Sequence, residues 1–286
     1  MPELPEVETV CRGLNRATLN YSIRGVDVLL ARTVAHPVSV SDFCDALTET
    51  RIQQWQRRGK YLMASLTRSQ AEAGWLGVHL RMTGQLLWVD PSEPVSAHCR
   101  VRLFLKNPLS NHERELRFVD QRTFGRLWWV PPGVALETVM TGLQKLGPEP
   151  FDSQFSPRYL HQALKGRQRP IKTALLDQSL VAGIGNIYAD EALFLSGIRP
   201  KTLCARLGPS RIKRLHASVL QVLNTSIEAG GTTFSDFRDV HGVNGNYGGV
   251  AWVYDREGAP CRVCGTPIQR LKLAGRSAHY CPHCQH

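Results

Sequence analysis

Two cysteine pairs, Cys261-x2-Cys264 and Cys281-x2-Cys284, separated by 16 residues, constrain this chain more than any other feature. Each pair forms a knuckle offering two thiolates, and two knuckles at this spacing meet at one tetrahedral zinc. Four thiolates close the coordination shell and leave no position for water. One structural Zn2+ is therefore expected, holding a β-ribbon too small to support a core of its own. The segment LKLAGRSAHYC supplies the returning strand, with Arg276 near the tip, where a guanidinium can meet a phosphate bidentately. The remaining cysteines, Cys11, Cys44, Cys99 and Cys204, are scattered and read as buried reduced thiols.

The 286 residues suffice for two domains, each burying a core. Lys and Arg total 35 against 24 Asp and Glu, a formal charge of +11, which points to a polyanionic partner. The start MPELPEVETV is acidic and lacks the apolar run of a signal peptide, and no stretch approaches the ~18 apolar residues of a membrane span. A cytosolic protein with no membrane partner is expected.

Periodicity changes along the chain. Val7, Val10, Cys11 and Leu14 share one face of a first helix, with Pro5 in its first turn. From about residue 20 to 130 short alternating runs follow: SIRGVDVLL, KYLMASL, GWLGVHL, QLLWV, CRVRLFL, RELRFVD and GRLWWV, interrupted by a helix around SDFCDALTET. Turn residues between them indicate an antiparallel sandwich or barrel. After a Pro- and Gly-rich stretch the pattern turns helical in RYLHQALKG, IKTALLDQ, NIYADEALFLSG and SRIKRLHASVLQVLNTSIEAG, a region dense in Lys and Arg. The expected division is a β-rich domain over 1–135, a linker over 136–156, a helical domain over 157–240 and the zinc ribbon over 241–286. The Gly-rich stretch GGTTFSDFRDVHGVNGNYGG reads as a long functional loop.

The N-terminus carries chemistry. Removal of Met1 would expose Pro2, a secondary amine. A free α-amine titrates near ~8, against ~10.4 for lysine, so far more of it is uncharged and nucleophilic at neutral pH. Condensation with a sugar C1′ gives a cationic iminium, an electron sink for breaking neighbouring bonds. Glu3, beside it, can deliver a proton to a sugar oxygen.

Together the Pro2-Glu3 start, the basic helical region with GIGNIYADE and the terminal ribbon ending CPHCQ resemble the formamidopyrimidine-DNA glycosylases, bacterial base-excision repair enzymes. The resemblance spans essentially the whole chain. It implies an α+β, multidomain fold: an N-terminal antiparallel β-sandwich with flanking helices, a helix-two-turns-helix domain and a C-terminal zinc β-ribbon, with damaged double-stranded DNA between the domains. It further implies a monomer in the bacterial cytosol or nucleoid, with no small-molecule cofactor. In its terms Pro2 is the nucleophile and Glu3 the acid. Glu6 resembles a second, supporting acid, although a first-turn helix residue would look the same. Lys60 matches a hairpin lysine linked to elimination, and Arg276 a zinc-finger arginine at the lesion phosphates associated with the second elimination. Met82, Arg122 and Phe124 resemble the triad that fills the gap left by an extruded nucleotide, as base flipping requires. DNA contacts are implied for His79, Lys172 and Asn186, the last at a helix start suited to phosphate, and more loosely for His98 and Arg167. Thr232, Thr233 and Tyr247 fall in a loop that closes over the everted base. Two departures stand out: Arg81 replaces a frequent glycine, and Gln121 with Thr123 replaces the Pro and second Arg of DPRRFG.

The reaction implied is a bifunctional glycosylase and lyase acting on oxidised purines. An endonuclease VIII-like enzyme for oxidised pyrimidines, a non-catalytic zinc-ribbon DNA-binding protein and a structural nucleic-acid protein of the ribosomal kind are the alternatives.

Overall fold

Helix α1 (Leu4–Thr18) buries Val7, Val10, Cys11 and Leu14, the face expected from their spacing. The structure, a computed structural model, describes residues 1–19, 21–232 and 237–286. Strands β1 (Ser22–Val28), β2 (Val34–His36), β3 (Thr50–Arg58), β4 (Tyr61–Arg68), β5 (Ala71–His79), β6 (Gly84–Val89), β7 (Cys99–Lys106), β8 (Glu113–Asp120) and β9 (Arg126–Val130) follow, with helix α2 (Val40–Leu47) after β2. They hydrogen-bond in the order β2-β9-β5-β4-β3-β1-β7-β8-β6, antiparallel throughout except β2 with β9. Strands β1 and β3 share only the pairs Ser22–Arg51 and Ile23–Thr50, so the sheet divides at that seam. Both halves bury their apolar faces in one core that includes Trp55, Leu62, Leu76, Leu103 and Phe118. The end strands β2 and β6 stay unjoined, so the result is a sandwich and not a closed barrel.

Each of the seven strand-like runs is a strand; β2 and β3 are the additions. In β3 a register shift between Ile52 and Gln54 breaks the two-residue alternation that reveals a strand in sequence. The amide of Asn15 on α1 repairs that strand's open edge, donating to Trp55 O at 2.9 Å and accepting from Trp55 N at 2.9 Å.

Helix α3 (Leu136–Val139) ends the first unit, which comprises Met1–Gln144 with Gly230–Gly245. The second comprises Lys145–Ala229 and Asn246–His286. It holds α4 (Pro157–Leu164), α5 (Ile171–Leu175), α6 (Asn186–Leu195), α7 (Pro209–Glu228) and the hairpin of β10 (Gln269–Leu273) and β11 (Arg276–Tyr280). Ser156 caps α4 by accepting from Tyr159 N, and Pro209 opens α7, both local signals. The second half of the expected linker is docked: Gly147 N donates to Gln178 O at 2.8 Å, and buried Phe155 stacks on His216 with centroids 5.0 Å apart. The segment 230–245, read as the end of the helical domain and the start of the ribbon, packs in the first unit. There Val240 O accepts from Trp88 N at 2.7 Å and the Val240 side chain fills the space Gly13 leaves open. No helix among the described residues is long and apolar enough to cross a membrane. Of the scattered cysteines, Cys11, Cys99 and Cys204 are buried as expected, and burial pushes the Cys11 thiol up to about 11; Cys44 is only half-buried.

Candidate active site and nucleic-acid interface

In the first unit Pro2 and Glu3 are buried where the chain enters α1. The Glu6 carboxylate is the anchor of this turn. Its Oε2 accepts from Glu3 N at 2.8 Å and its Oε1 from Thr232 N at 2.9 Å. Acids here suit the positive end of the helix. Glu6 thus ties the N-terminal turn to the segment 230–245. Thr232 is buried, and Thr233 lies outside the described residues.

Lys60 occupies the two-residue turn between β3 and β4, after Gly59, whose φ of 55° is the left-handed backbone that glycine adopts without strain. It is 7% exposed, unlike a strand-edge lysine in solvent. Arg57 links this turn to α1: its Nε donates to Glu8 Oε2 at 2.8 Å and its Nη1 to Gly59 O at 3.1 Å. Burial raises the Glu8 pKa, but the hydrogen bonds and charges of Arg57 and Arg12 outweigh it and hold the carboxyl below its ordinary range. Neither Glu8 nor Arg57 was expected at the site. The only sequence signal was the Glu8–Arg12 spacing on one helix face.

His79, at the end of β5, is buried with its ring edge-on to Tyr61 at 4.5 Å. Burial, then the charges of Arg81 and Lys60, push its imidazole down to about 3. Its Nδ1 accepts from Arg81 N at 3.0 Å, so the neutral ring carries its proton on Nε2 and presents a donor there.

The loops after β5 and β8 are stitched together. Thr83 Oγ1 accepts from Arg122 N at 3.0 Å and donates to Asp120 Oδ1, while Asp120 Oδ2 accepts from Gly125 N at 2.7 Å. This brings Met82, half-buried, beside the 120–125 loop. In that loop Arg122 lies over the Phe124 ring at 5.2 Å, and Phe124 is 50% exposed. A Cβ on Gly125 would stand 2.3 Å from Phe118, so only glycine closes the loop. Both departures occupy left-handed backbone, with φ of 56° at Arg81 and 58° at Thr123. Glycine at the first would be unstrained; the Thr123 hydroxyl is held by Arg32 Nη2. Thr83 and Asp120, which hold these loops together, were not among the expected site residues. His98 is exposed, and its carbonyl accepts from Asp120 N at 2.9 Å.

In the second unit Asn186 is the first residue of α6; its Nδ2 donates to Ser277 Oγ at 3.3 Å and its Oδ1 is buried without a hydrogen-bond partner among the described residues. The amide of Gln178 shapes the preceding loop, bonding Gly183 N at 2.9 Å and Ile184 O at 2.7 Å. Arg167 and Arg276 are exposed, the latter at the mouth of the β10–β11 turn. Lys172, expected near the DNA backbone, lies within the fold. It is fully buried, 2.7 Å from Asp190 Oδ1, and donates to Ser277 O, because an ammonium taken out of water must be paired. Tyr247, expected in the closing loop, is also buried. Its hydroxyl donates to Glu191 Oε2 at 3.2 Å, and Glu191 accepts in addition from the backbone of Trp252, Val253 and Tyr254, organising the approach to the ribbon.

The sulfur atoms of Cys261, Cys264, Cys281 and Cys284 lie within 4.8 Å of one another, with Cys264–Cys281 at 3.5 Å and Cys261–Cys284 at 3.9 Å. A zinc tetrahedron with Zn–S bonds of about 2.3 Å has edges of about 3.8 Å, so the four thiolates fit one structural Zn2+. Amides of Val263 and Cys284 donate to the knuckle sulfurs at 3.4 Å. Gln285 anchors the second knuckle, accepting from Cys281 N and donating to Ile198 O, each at 2.8 Å.

Three family profiles match in succession: the formamidopyrimidine-DNA glycosylase N-terminal domain over residues 1–127, its H2TH domain over 146–238, and a zinc finger found in FPG and IleRS over 258–286. The formamidopyrimidine-DNA glycosylase of Nostoc punctiforme is 63% identical over 285 residues, spanning 100% of this chain and 96% of the relative. A Lactococcus lactis FPG mutant in complex with Fapy-dG-containing DNA superposes with a TM-score of 0.89 at 32% identity, covering 100% of both chains. The wild-type Lactococcus lactis FPG with DNA containing an oxidised pyrimidine gives 0.87 at 33%, again over 100% of both. A profile match over both units and relatives of this identity along their whole length leave one assignment: the chain belongs to the formamidopyrimidine-DNA glycosylase family.

Proposed function

We propose that this glycosylase removes oxidised purines, 8-oxoguanine and formamidopyrimidines, from duplex DNA and then cleaves the resulting abasic strand. The observation that carries the reading is the buried Pro2-Glu3 turn, held at Glu3 N by the Glu6 carboxylate. Once Met1 is removed, the Pro2 nitrogen attacks C1′, and the bond from C1′ to the sugar ring oxygen breaks as Glu3 delivers a proton to that oxygen. The C1′ bond to the damaged base breaks, and the base leaves with its electron pair and a proton. The iminium formed at C1′ acidifies the C2′ proton. Its loss expels the 3′ phosphate by β-elimination, and a second elimination expels the 5′ phosphate. Lys60 serves the eliminations, Glu6 orients the nucleophilic turn, and Arg276 assists the second elimination. Met82, Arg122 and Phe124 fill the stack after nucleotide extrusion. His79 donates from Nε2 to a phosphate, and Asn186, Arg167 and His98 add backbone contacts. Lys172 supports the interface from beneath.

The chemistry belongs to the segment 1–135 together with 230–245, and the enzyme works as a monomer in the cytosol or nucleoid with zinc as its one cofactor. Borohydride trapping on a duplex bearing a single 8-oxoguanine tests the reading. A covalent adduct is expected with the wild type and none with an N-terminally blocked form, while Pro2→Gly, whose own α-amine can still condense, should form it more slowly. Persistence of the adduct in the blocked form would remove Pro2 from the mechanism. The Lactococcus lactis complex with an oxidised pyrimidine supports a second reading, in which pyrimidine lesions are substrates as well. Competition between the two lesion duplexes ranks them.

A further inference from the structure

Strand β11 pairs with β10 along one edge and meets α6 along the other. A two-stranded ribbon is marginal by itself, and its open edge presents backbone groups that need partners. On that edge two successive groups, the carbonyl of Ser277 and the N–H of His279, are met by an ion pair instead of a third strand. Lys172 Nζ donates to Ser277 O, and Asp190 Oδ2 accepts from His279 N at 2.9 Å. The two charges stand 2.7 Å apart and both side chains are buried. Asp190 Oδ2 also lies 3.3 Å from His279 Nδ1, and Asn186 Nδ2 reaches Ser277 Oγ from the start of the same helix. The ammonium supplies the donor, and the carboxylate the acceptor, that a neighbouring strand would have supplied.

A buried ion pair adds little net stability compared with well-packed apolar side chains, and its best-attested use is to fix register. Here the register matters because Arg276 is the residue next to Ser277. Sliding β11 by one side-chain repeat along the clamp would carry the hairpin tip about 6–7 Å along the strand. We propose that Lys172 and Asp190 form an edge clamp that sets the register of β11 against α6, and that Asp190 is thereby a positioning residue for Arg276, needed for the second elimination more than for base removal. The proposal rests on the role given to Arg276 above.

The test is the ratio of δ- to β-elimination products on an abasic duplex, with the rate of borohydride adduct formation measured alongside. Asp190→Asn is expected to form the adduct as fast as wild type and to lower the δ:β ratio about tenfold or more, the scale of a misplacement near 1 Å. In an Arg276→Ala background Asp190→Asn should lower the ratio no further, since it acts through that arginine. A further fall there, or an unchanged ratio in a zinc-loaded Asp190→Asn protein, overturns the proposal. Should Asp190→Asn fail to retain zinc, the double variant Lys172→Met/Asp190→Leu removes both charges at similar volume and must show the same lowered ratio. Hydrogen exchange at the His279 amide reads the clamp independently of chemistry. It should accelerate about tenfold or more in the variants, as expected for a lost charge-assisted bond. If wild type shows neither adduct nor elimination, the proposed function fails, and unchanged exchange at His279 is what would then refute the clamp.

Discussion

His79 shows how one residue's environment selects its chemistry. Its folded pKa, pushed down to about 3, lies below the ordinary value of 6.5, so between these the unfolded chain binds a proton that the fold does not. Stability therefore rises with pH across that window and is lost as pH falls through it. Histidine resonances in an NMR titration from pH 7.5 to 5 should leave the His79 ring neutral, whereas an exposed histidine would become mostly charged. Phe124 makes the opposite point. Being half-exposed, it gives the fold little, so Phe124→Ala should change unfolding free energy by less than about 1 kcal/mol. Single-turnover excision should nevertheless fall about tenfold to a hundredfold, because extrusion costs a few kcal/mol that the wedge offsets. The resemblance already pointed to Met82, Arg122 and Phe124 as a wedge. That Thr83 and Asp120 hold the two loops together was not legible, since a threonine and an aspartate acquire that meaning only when two loops 37 residues apart meet.

Between elements, the Glu8–Arg57 pair joins α1, whose start carries Pro2 and Glu3, to the β3–β4 turn that carries Lys60. Both partners are largely buried, so removing one leaves the other charge poorly solvated. Arg57→Ala should lower stability by about 1–3 kcal/mol in urea unfolding and reduce the elimination rate of the folded enzyme. Strand β3 itself was hidden in the sequence, because its bulge disrupts the alternation and because Arg51, Gln53, Gln54, Gln56, Arg57 and Arg58 make it look like a loop. Lys172 shows the limit from the other side. The resemblance implied only a lysine near the DNA backbone, and the packing of α5, α6 and β11 reveals that Asp190 and Ser277 enclose it. Tyr247 was concealed in the same way by Glu191.

For the molecule as a whole, zinc and charge are the terms open to global tests. Cys261 and Cys281 belong to the small core that also contains Phe194, Val253 and Ile268, with Trp252 packed against it. Chelation of zinc should therefore expose Trp252, shifting its fluorescence to the red, and abolish DNA binding while the far-UV signal of the β-sandwich persists. The charge of +11 predicts affinity that falls steeply with salt, by about 0.9 in log K per log unit of salt for each phosphate neutralised. Arg167→Ala should reduce that slope by about one contact. Sequence by itself determined the features written in local spacing: the four zinc ligands, the buried face of α1, seven strands and the helices after residue 157. These follow from fixed backbone periods and from ligand geometry, which act over a few residues. Tertiary structure decided whatever needs a partner distant in the chain: the strand β3, the placing of 230–245 with the first unit through Glu6 and Val240, the burial of Lys172 and the clamp on β11. A side chain's burial, and with it the state of its charge, is set by what the fold packs around it.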